Sequence, residues 1–161
     1  MGFCYLLFFT LVAADQLIKR WAMRVLQPAG TIKVLPFLSL TYVENRGAAF
    51  GIFAGQRWLL SAVSILVVAA CFWCLARRIF ATRTENLCVA LVAAGGAGNL
   101  IDRLLRGYVV DYLDINALFS YPMFNLADCC VVIGAILFLL LTLFAGSRTK
   151  KNGASTPKGE A

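Results

Sequence analysis

The sequence contains no histidine. That absence excludes a Ser-His or Cys-His nucleophile pair and any zinc site built on imidazole. Charge is scarce too: Asp, Glu, Lys and Arg make up 14% of the 161 residues, and the acids number eight. A soluble domain carries about a quarter of its residues charged. The six cysteines all fall inside apolar stretches, where a thiol packs as a small hydrophobe. Cys71-x-x-Cys74 has no second cysteine pair at ligand spacing, so it does not make a metal motif. The soluble aspartic peptidase signature, Asp-Thr/Ser-Gly, is missing, and no internal repeat appears.

What the chain has in abundance is apolar sequence. Hydrophobic residues account for 61% of it. The mean hydropathy is +0.80. Four apolar runs, near 3–18, 58–76, 87–101 and 129–145, approach the length that crosses a bilayer as a helix. The expectation is an all-α membrane protein of four transmembrane helices. The first run lacks a basic leader and continues through Asp15, Lys19 and Arg20, so it reads as a retained helix rather than a cleaved signal. Four spans put both termini on one side. The number of Lys and Arg does not separate the two sides, but Arg77, Arg78 and Arg83 crowd one short loop and Arg148, Lys150, Lys151 and Lys158 crowd the tail, a density expected of the cytoplasmic side. Loops 22–57 and 102–128 then lie outside. The net charge of +7 follows from this topology and from anionic lipid, and no aromatic-basic motif points to nucleic acid.

Within the first outer loop, Leu38, Leu40 and Tyr42 alternate with Ser39 and Thr41. This period of two predicts a half-buried strand, with residues 31–34 as its partner and Asn45-Arg46-Gly47 as a turn. A small extracytoplasmic β-sheet between helices 1 and 2 is therefore expected. The chain divides into a membrane domain, 1–145, and a polar tail, 146–161, expected to be disordered. In the third run, Ala94-Gly95-Gly96-Ala97-Gly98 offers small residues for close helix packing.

The acids are few and oddly placed. Asp128 stands at the mouth of the last apolar run, and Asp111 lies just beyond the third helix, with a loop between them long enough to fold back. Two carboxylates brought together share a proton, one serving as base toward water and the other as acid toward a carbonyl. That is aspartic peptidase chemistry. Spacing alone leaves two other readings of Asp128 open, a helix N-cap and an ion-pathway carboxylate. A small proton-coupled carrier and a structural membrane subunit are the rival functions, although the missing repeat speaks against a carrier. Arg103 beside Asp102 also reads as a paired interfacial charge.

Taken together, Asp15-x-x-x-Lys19, Glu44-Asn45-x-Gly47-Ala48-Ala49-Phe50-Gly51, Gly98-Asn99-x-x-Asp102-Arg103, Val110-Asp111 and Phe124-Asn125-x-Ala127-Asp128 resemble the lipoprotein signal peptidase family, signal peptidase II. The match runs in order from about residue 10 to 130. The resemblance implies a bacterial inner-membrane aspartyl endopeptidase that cleaves prolipoproteins just before a diacylglyceryl-modified cysteine, with no cofactor and no metal. It makes Asp111 and Asp128 the catalytic dyad and gives Asn45, Asn99, Arg103 and Asn125 the substrate. Asp15, Lys19 and Asp102 become supporting residues. The partners expected are diacylglyceryl-modified prolipoproteins and membrane lipids, and the protein is expected to act as a monomer.

Overall fold

A computed structural model describes residues 1–48, 52–118 and 120–153. Ala49, Phe50 and Gly51 of the second motif, and residues 154–161 of the tail, lie outside the described residues. Four helices are long and apolar enough to cross a membrane. They are α1 (Gly2–Ala29), α2 (Arg57–Ala76), α3 (Arg83–Leu105) and α4 (Leu126–Gly153). Three strands, β1 (Ile32–Leu35), β2 (Leu38–Asn45) and β3 (Val109–Asp114), form one antiparallel sheet in that order.

The expected hairpin is present. Ile32 pairs with Leu40 and Lys33 with Ser39, across a tight turn at Pro36-Phe37. The sheet does not belong to the first loop alone, however. Its third strand comes from the segment after α3, with Val43 opposite Asp111 and Asn45 opposite Val109. Two further boundaries differ from the sequence expectation. α1 runs on to Ala29, through the first residues assigned to the outer loop, because its two interior charges, Asp15 and Lys19, pair with each other at 2.9 Å and because Ala22 and Leu26 are buried under Val110 and Tyr112 of the sheet. It stops at Gly30, whose φ of 76° leaves the right-handed region. α4 continues past residue 145 to Gly153, since residues 147–152 hold neither glycine nor proline to end a helix already running.

α3 is the hub against which the other three helices pack, and its small residues set the distances. A Cβ at Gly95 would collide with the carbonyl oxygen of Ala127 in α4. One at Gly98 would stand 2.6 Å from Oδ2 of Asp15 in α1 and 3.2 Å from the Ala127 methyl. Gly96 faces Val68 of α2. Ala90, Ala93 and Ala94 complete the buried stripe. The helix backbones thus approach closely enough for short polar side chains to reach across between them.

Gly95→Val should therefore force α3 and α4 apart. Overpacking of this kind costs about 1–3 kcal/mol, a drop on the order of 3–10 °C in the detergent-solubilised protein. Thermal unfolding followed by intrinsic fluorescence checks it, with Gly96→Ala, whose Cβ meets Val68 Cγ2 at 3.1 Å, as the milder comparison.

Candidate active site

The start of α4 is where the elements converge. After β3 the chain loops out and returns, and Phe124 pairs with Leu113 through N–H···O bonds of 2.8 and 3.1 Å. That bridge delivers Asn125 beside Asp111. A helix start leaves four backbone N–H groups without partners. Here each is met: Asn125 N–H by Asp128 Oδ2 at 3.1 Å, Leu126 N–H by the Tyr112 hydroxyl oxygen of β3 at 3.1 Å, Ala127 N–H by Asp15 Oδ1 of α1 at 3.1 Å, and Asp128 N–H by Asn125 Oδ1 at 3.0 Å, while Cys129 N–H makes the first intrahelical bond, to the Asn125 carbonyl at 3.2 Å. Asp128 Oδ2 in turn accepts the Asn125 N–H at 3.1 Å, so Asn125 and Asp128 form a reciprocal cap. Asn125 is the cap residue. Asp128 stands three residues on, and its other oxygen faces away from the cap.

That second oxygen, Oδ1, accepts from Asn99 Nδ2 at 2.7 Å. Asp111 is held in a similar manner, with Oδ1 accepting from Asn125 Nδ2 at 2.7 Å and Oδ2 from Asn45 Nδ2 at 2.9 Å. One asparagine side chain and its own backbone amide thus serve both aspartates. Asn45 reaches Asp111 diagonally across the β2–β3 pair, and its Oδ1 accepts the Gly47 N–H at 2.9 Å, which makes the expected turn. Asp111 is 2% exposed. Burial first, then the nearness of Asp128, pushes its carboxyl up to about 7, against the two amide bonds, which pull the other way.

Behind this pair lies an ion cluster with almost no access to water. Lys19 Nζ contacts Asp15 Oδ2 at 2.9 Å, Asp102 Oδ2 at 3.1 Å and Asn99 Oδ1 at 2.9 Å. Asp102 also accepts the Val110 N–H at 3.0 Å and pairs with Arg106. Gln16 Nε2 donates to Asp102 Oδ1 at 3.0 Å and to the Gly98 carbonyl at 3.1 Å. Asp102 therefore pairs with Lys19 and Arg106 rather than with Arg103. The interfacial-charge reading of Arg103 is replaced: its guanidinium turns to the cavity and donates to the Gly47 carbonyl at 3.3 Å.

The cavity holds about 340 Å³. Its polar end is Asn45, Asn99, Arg103, Asp111 and Asp128. Its apolar end is walled by Val63 and Val67 of α2, Val92 and Gly96 of α3, and Val131 and Val132 of α4. Along α3, Val92, Gly96, Asn99 and Arg103 make a single helical stripe from one end to the other. Five of the six residues expected to form the dyad and hold substrate line this cavity; Asn125, 0% exposed, stands behind Asp111 and Asp128 instead, and the three supporting residues lie behind Asn99. Sequence reasoning missed Gln16, Arg106 and the α2 wall. The spacing Asp102-x-x-x-Arg106 is a usable signal for Arg106. Nothing local marks Gln16 or Val63. Among the described residues no three Asp, Glu or Cys side chains gather as a metal-ligand set.

Two aspartates, each held by asparagine amides at one cavity between membrane helices, are the arrangement expected of a membrane peptidase of aspartic type. Comparison with known proteins carries this further. The family model for signal peptidase II matches residues 7–144. The lipoprotein signal peptidase of Syntrophomonas wolfei is 39% identical over 149 residues, covering 90% of this chain and 95% of its own. That of Shewanella amazonensis is 42% identical over 145 residues, covering 86% and 85%. A bacterial membrane enzyme solved in meso at 2.3 Å superposes with a TM-score of 0.83 at 29% identity, over 100% of this chain and 95% of that one. A second, at 1.9 Å, gives 0.80 at 31% identity, over 89% and 94%. The chain belongs to the signal peptidase II family.

The raised Asp111 value has a stability consequence. A carboxyl protonated up to about 7 when folded, against an ordinary 3.8, binds more protons folded than unfolded across that interval. Stability therefore falls as pH rises through it and levels off above. Asp111→Asn removes the charge, at the cost of one of the two amide bonds, so its melting temperature should rise relative to the parent's from about pH 4 to about pH 7, with the difference constant above. Thermal unfolding across a pH series measures the margin.

Proposed function

We propose that Asp111 and Asp128 are the catalytic dyad of this peptidase, and that the bond cut is the one before a diacylglyceryl-modified cysteine in a prolipoprotein. The observation that carries the proposal is the shared asparagine. Asn125 holds both carboxylates at one end of a cavity whose other end is apolar. The pair holds one proton. One carboxylate takes a proton from water as its oxygen adds to the scissile carbonyl carbon, while the other gives its proton to the carbonyl oxygen. As the tetrahedral intermediate collapses, the carboxyl that took the water proton gives it to the cysteine nitrogen, the other carboxylate takes back a proton from a hydroxyl of the intermediate, and the C–N bond breaks to release the amine. The coupled pair titrates as a unit.

Arg103 and the amides of Asn45 and Asn99 are suited to hold an extended peptide. A guanidinium presents a planar fork of donors to backbone carbonyls. The apolar end between α2, α3 and α4 suits the hydrophobic part of a signal peptide. Each buried methylene of an acyl chain contributes about 0.8 kcal/mol, so two acyl chains set the depth of the cysteine more firmly than side-chain contacts do. The basic loop carrying Arg77, Arg78 and Arg83 lies at the far end of the helices from the sheet. That distribution favours an extracytoplasmic site and cytoplasmic termini in a bacterial inner membrane.

The decisive experiment uses purified protein and a lipid-modified precursor in detergent without an ion gradient. Asp111→Asn and Asp128→Asn should each abolish cleavage while the protein still folds, and precursor lacking the diacylglyceryl group should be cut far more slowly than its modified match. Normal processing by either variant removes the dyad. Equal rates on the two precursors remove the lipid from the account of specificity.

Arg103→Lys should lower activity by about tenfold or more, because a point ammonium does not reproduce a bidentate fork. The same cleavage assay reads it, and a fully active variant would return Arg103 to a structural role.

A further inference from the structure

Asn99 touches both the buried ion cluster and the aspartate pair. A primary amide has two orientations, related by half a turn about its last bond, that exchange an acceptor for two donors. In one of them Asn99 Oδ1 accepts from Lys19 Nζ at 2.9 Å and from Asn125 Nδ2 at 3.2 Å, and Nδ2 donates to Asp128 Oδ1 at 2.7 Å. Turned over, the amide would set N–H against ammonium on one side and carbonyl oxygen against carboxylate on the other. Lys19 supplies most of this constraint. Its bond is charge-assisted and short, whereas the Asn125 amino group is shared with the Val110 carbonyl at 3.3 Å and with Asp111 at 2.7 Å. Nor can the ammonium move aside. Its other two N–H bonds are committed to Asp15 and Asp102, and the residue is 0% exposed.

We propose that Lys19 is a positioning residue for the peptidase reaction: it locks the Asn99 amide with its donor end on Asp128 and so fixes which carboxylate oxygen is left to meet water and substrate. This rests on the assignment of Asp111 and Asp128 as the dyad. Asp15 and Asp102 then have a task beyond mutual neutralisation, which is to hold Lys19 still. Lys19 itself touches neither the cavity nor either member of the pair; its charge acts on both carboxylates through space, and its one contact route to the reaction is Asn99, which is why the test keeps the cluster's net charge constant.

The test must separate positioning from stability, because Lys19→Met alone leaves two buried carboxylates against one cation. The double variant Asp15→Asn/Lys19→Met keeps the cluster neutral, with Asp102 against Arg106, and Asn retains an acceptor for the Ala127 N–H. Measured on the full chain in detergent with lipid-modified precursor, it should melt near the parent with KM unchanged, while kcat falls about ten- to hundredfold. Asp15→Asn/Lys19→Gln restores an N–H toward Asn99 and should recover much of that loss. In the presence of Asn99→Leu, adding the Lys19 change should cost nothing further. Parent-like kcat in the neutral double variant, or an equal loss with and without Asn99→Leu, overturns the proposal. Where the lysine variants do not accumulate, Asn99→Asp decides, since it keeps an acceptor for Lys19 but puts no N–H on Asp128. A fall in kcat larger than any rise in KM supports the lock, and parent kcat overturns it. Asp128→Asn run alongside distinguishes the two levels: normal processing there defeats the dyad itself, whereas failure of the lysine predictions alone leaves the dyad standing.

Discussion

An ammonium group sealed from water is the constraint on which the rest of this protein depends. Lys19 is 0% exposed and has three N–H bonds, and three acceptors meet them, Asp15, Asp102 and Asn99. Removing one partner of such a pair costs about 3–5 kcal/mol, because the charge left behind is both buried and uncompensated. The fold therefore cannot relax around it. Asp15 is on α1, and Asp102 and Asn99 are on α3, so the two helices are fixed in register. The same carboxylates reach outward, Asp102 to the first residues of β3 through Val110 N–H and Asp15 to the start of α4 through Ala127 N–H. One buried charge thus locates the strand that carries Asp111 and the helix that carries Asp128.

Such a cluster is tolerable only where the helices come close. Short side chains such as Asp and Asn span little distance, and lipid offers no water to fill a gap. Gly95 and Gly98 allow the approach: the first lets the α4 backbone down onto α3, and the second leaves room for the Asp15 carboxylate. The stripe of small residues and the polar cluster are consequently two halves of one device. Either alone would fail, the glycines because they supply no attraction and the charges because they would be left partly unpaired.

Much of this is legible in the chain. Four apolar runs predict four helices, period-two alternation predicts the β1–β2 hairpin, and scarce acids in an apolar sequence stand out as chemistry. The i, i+4 spacing of Asp15 and Lys19 already implies a pair. What local pattern cannot show is which distant elements meet. Val109–Asp114 reads as a connection after α3, and it becomes a strand because β2 presents an edge to pair with and Phe124 returns to its other side. The link from Lys19 to Asn99 is separated by 80 residues, and no spacing rule reports it. The helix ends were obscured for a related reason. A charge normally argues that a membrane helix has ended, but inside α1 the charges are paired, and the helix runs on.

Asn125 rather than Asp128 caps α4, yet Asp128 takes part in the cap from three residues on, and that explains how its carboxylate is aimed. An aspartate three residues past the cap spends one oxygen on the helix start, accepting the Asn125 N–H. Rotation about its side chain is thereby quenched, and the second oxygen has a single direction open to it. In Asp111, by contrast, strand pairing provides the rigidity, with Asn45 and Asn125 each holding one oxygen. Helix cap on one side and sheet edge on the other, the two carboxylates are aimed by the most regular parts of the structure rather than by loops. A rigid scaffold behind reacting groups lowers the reorganisation needed during the reaction.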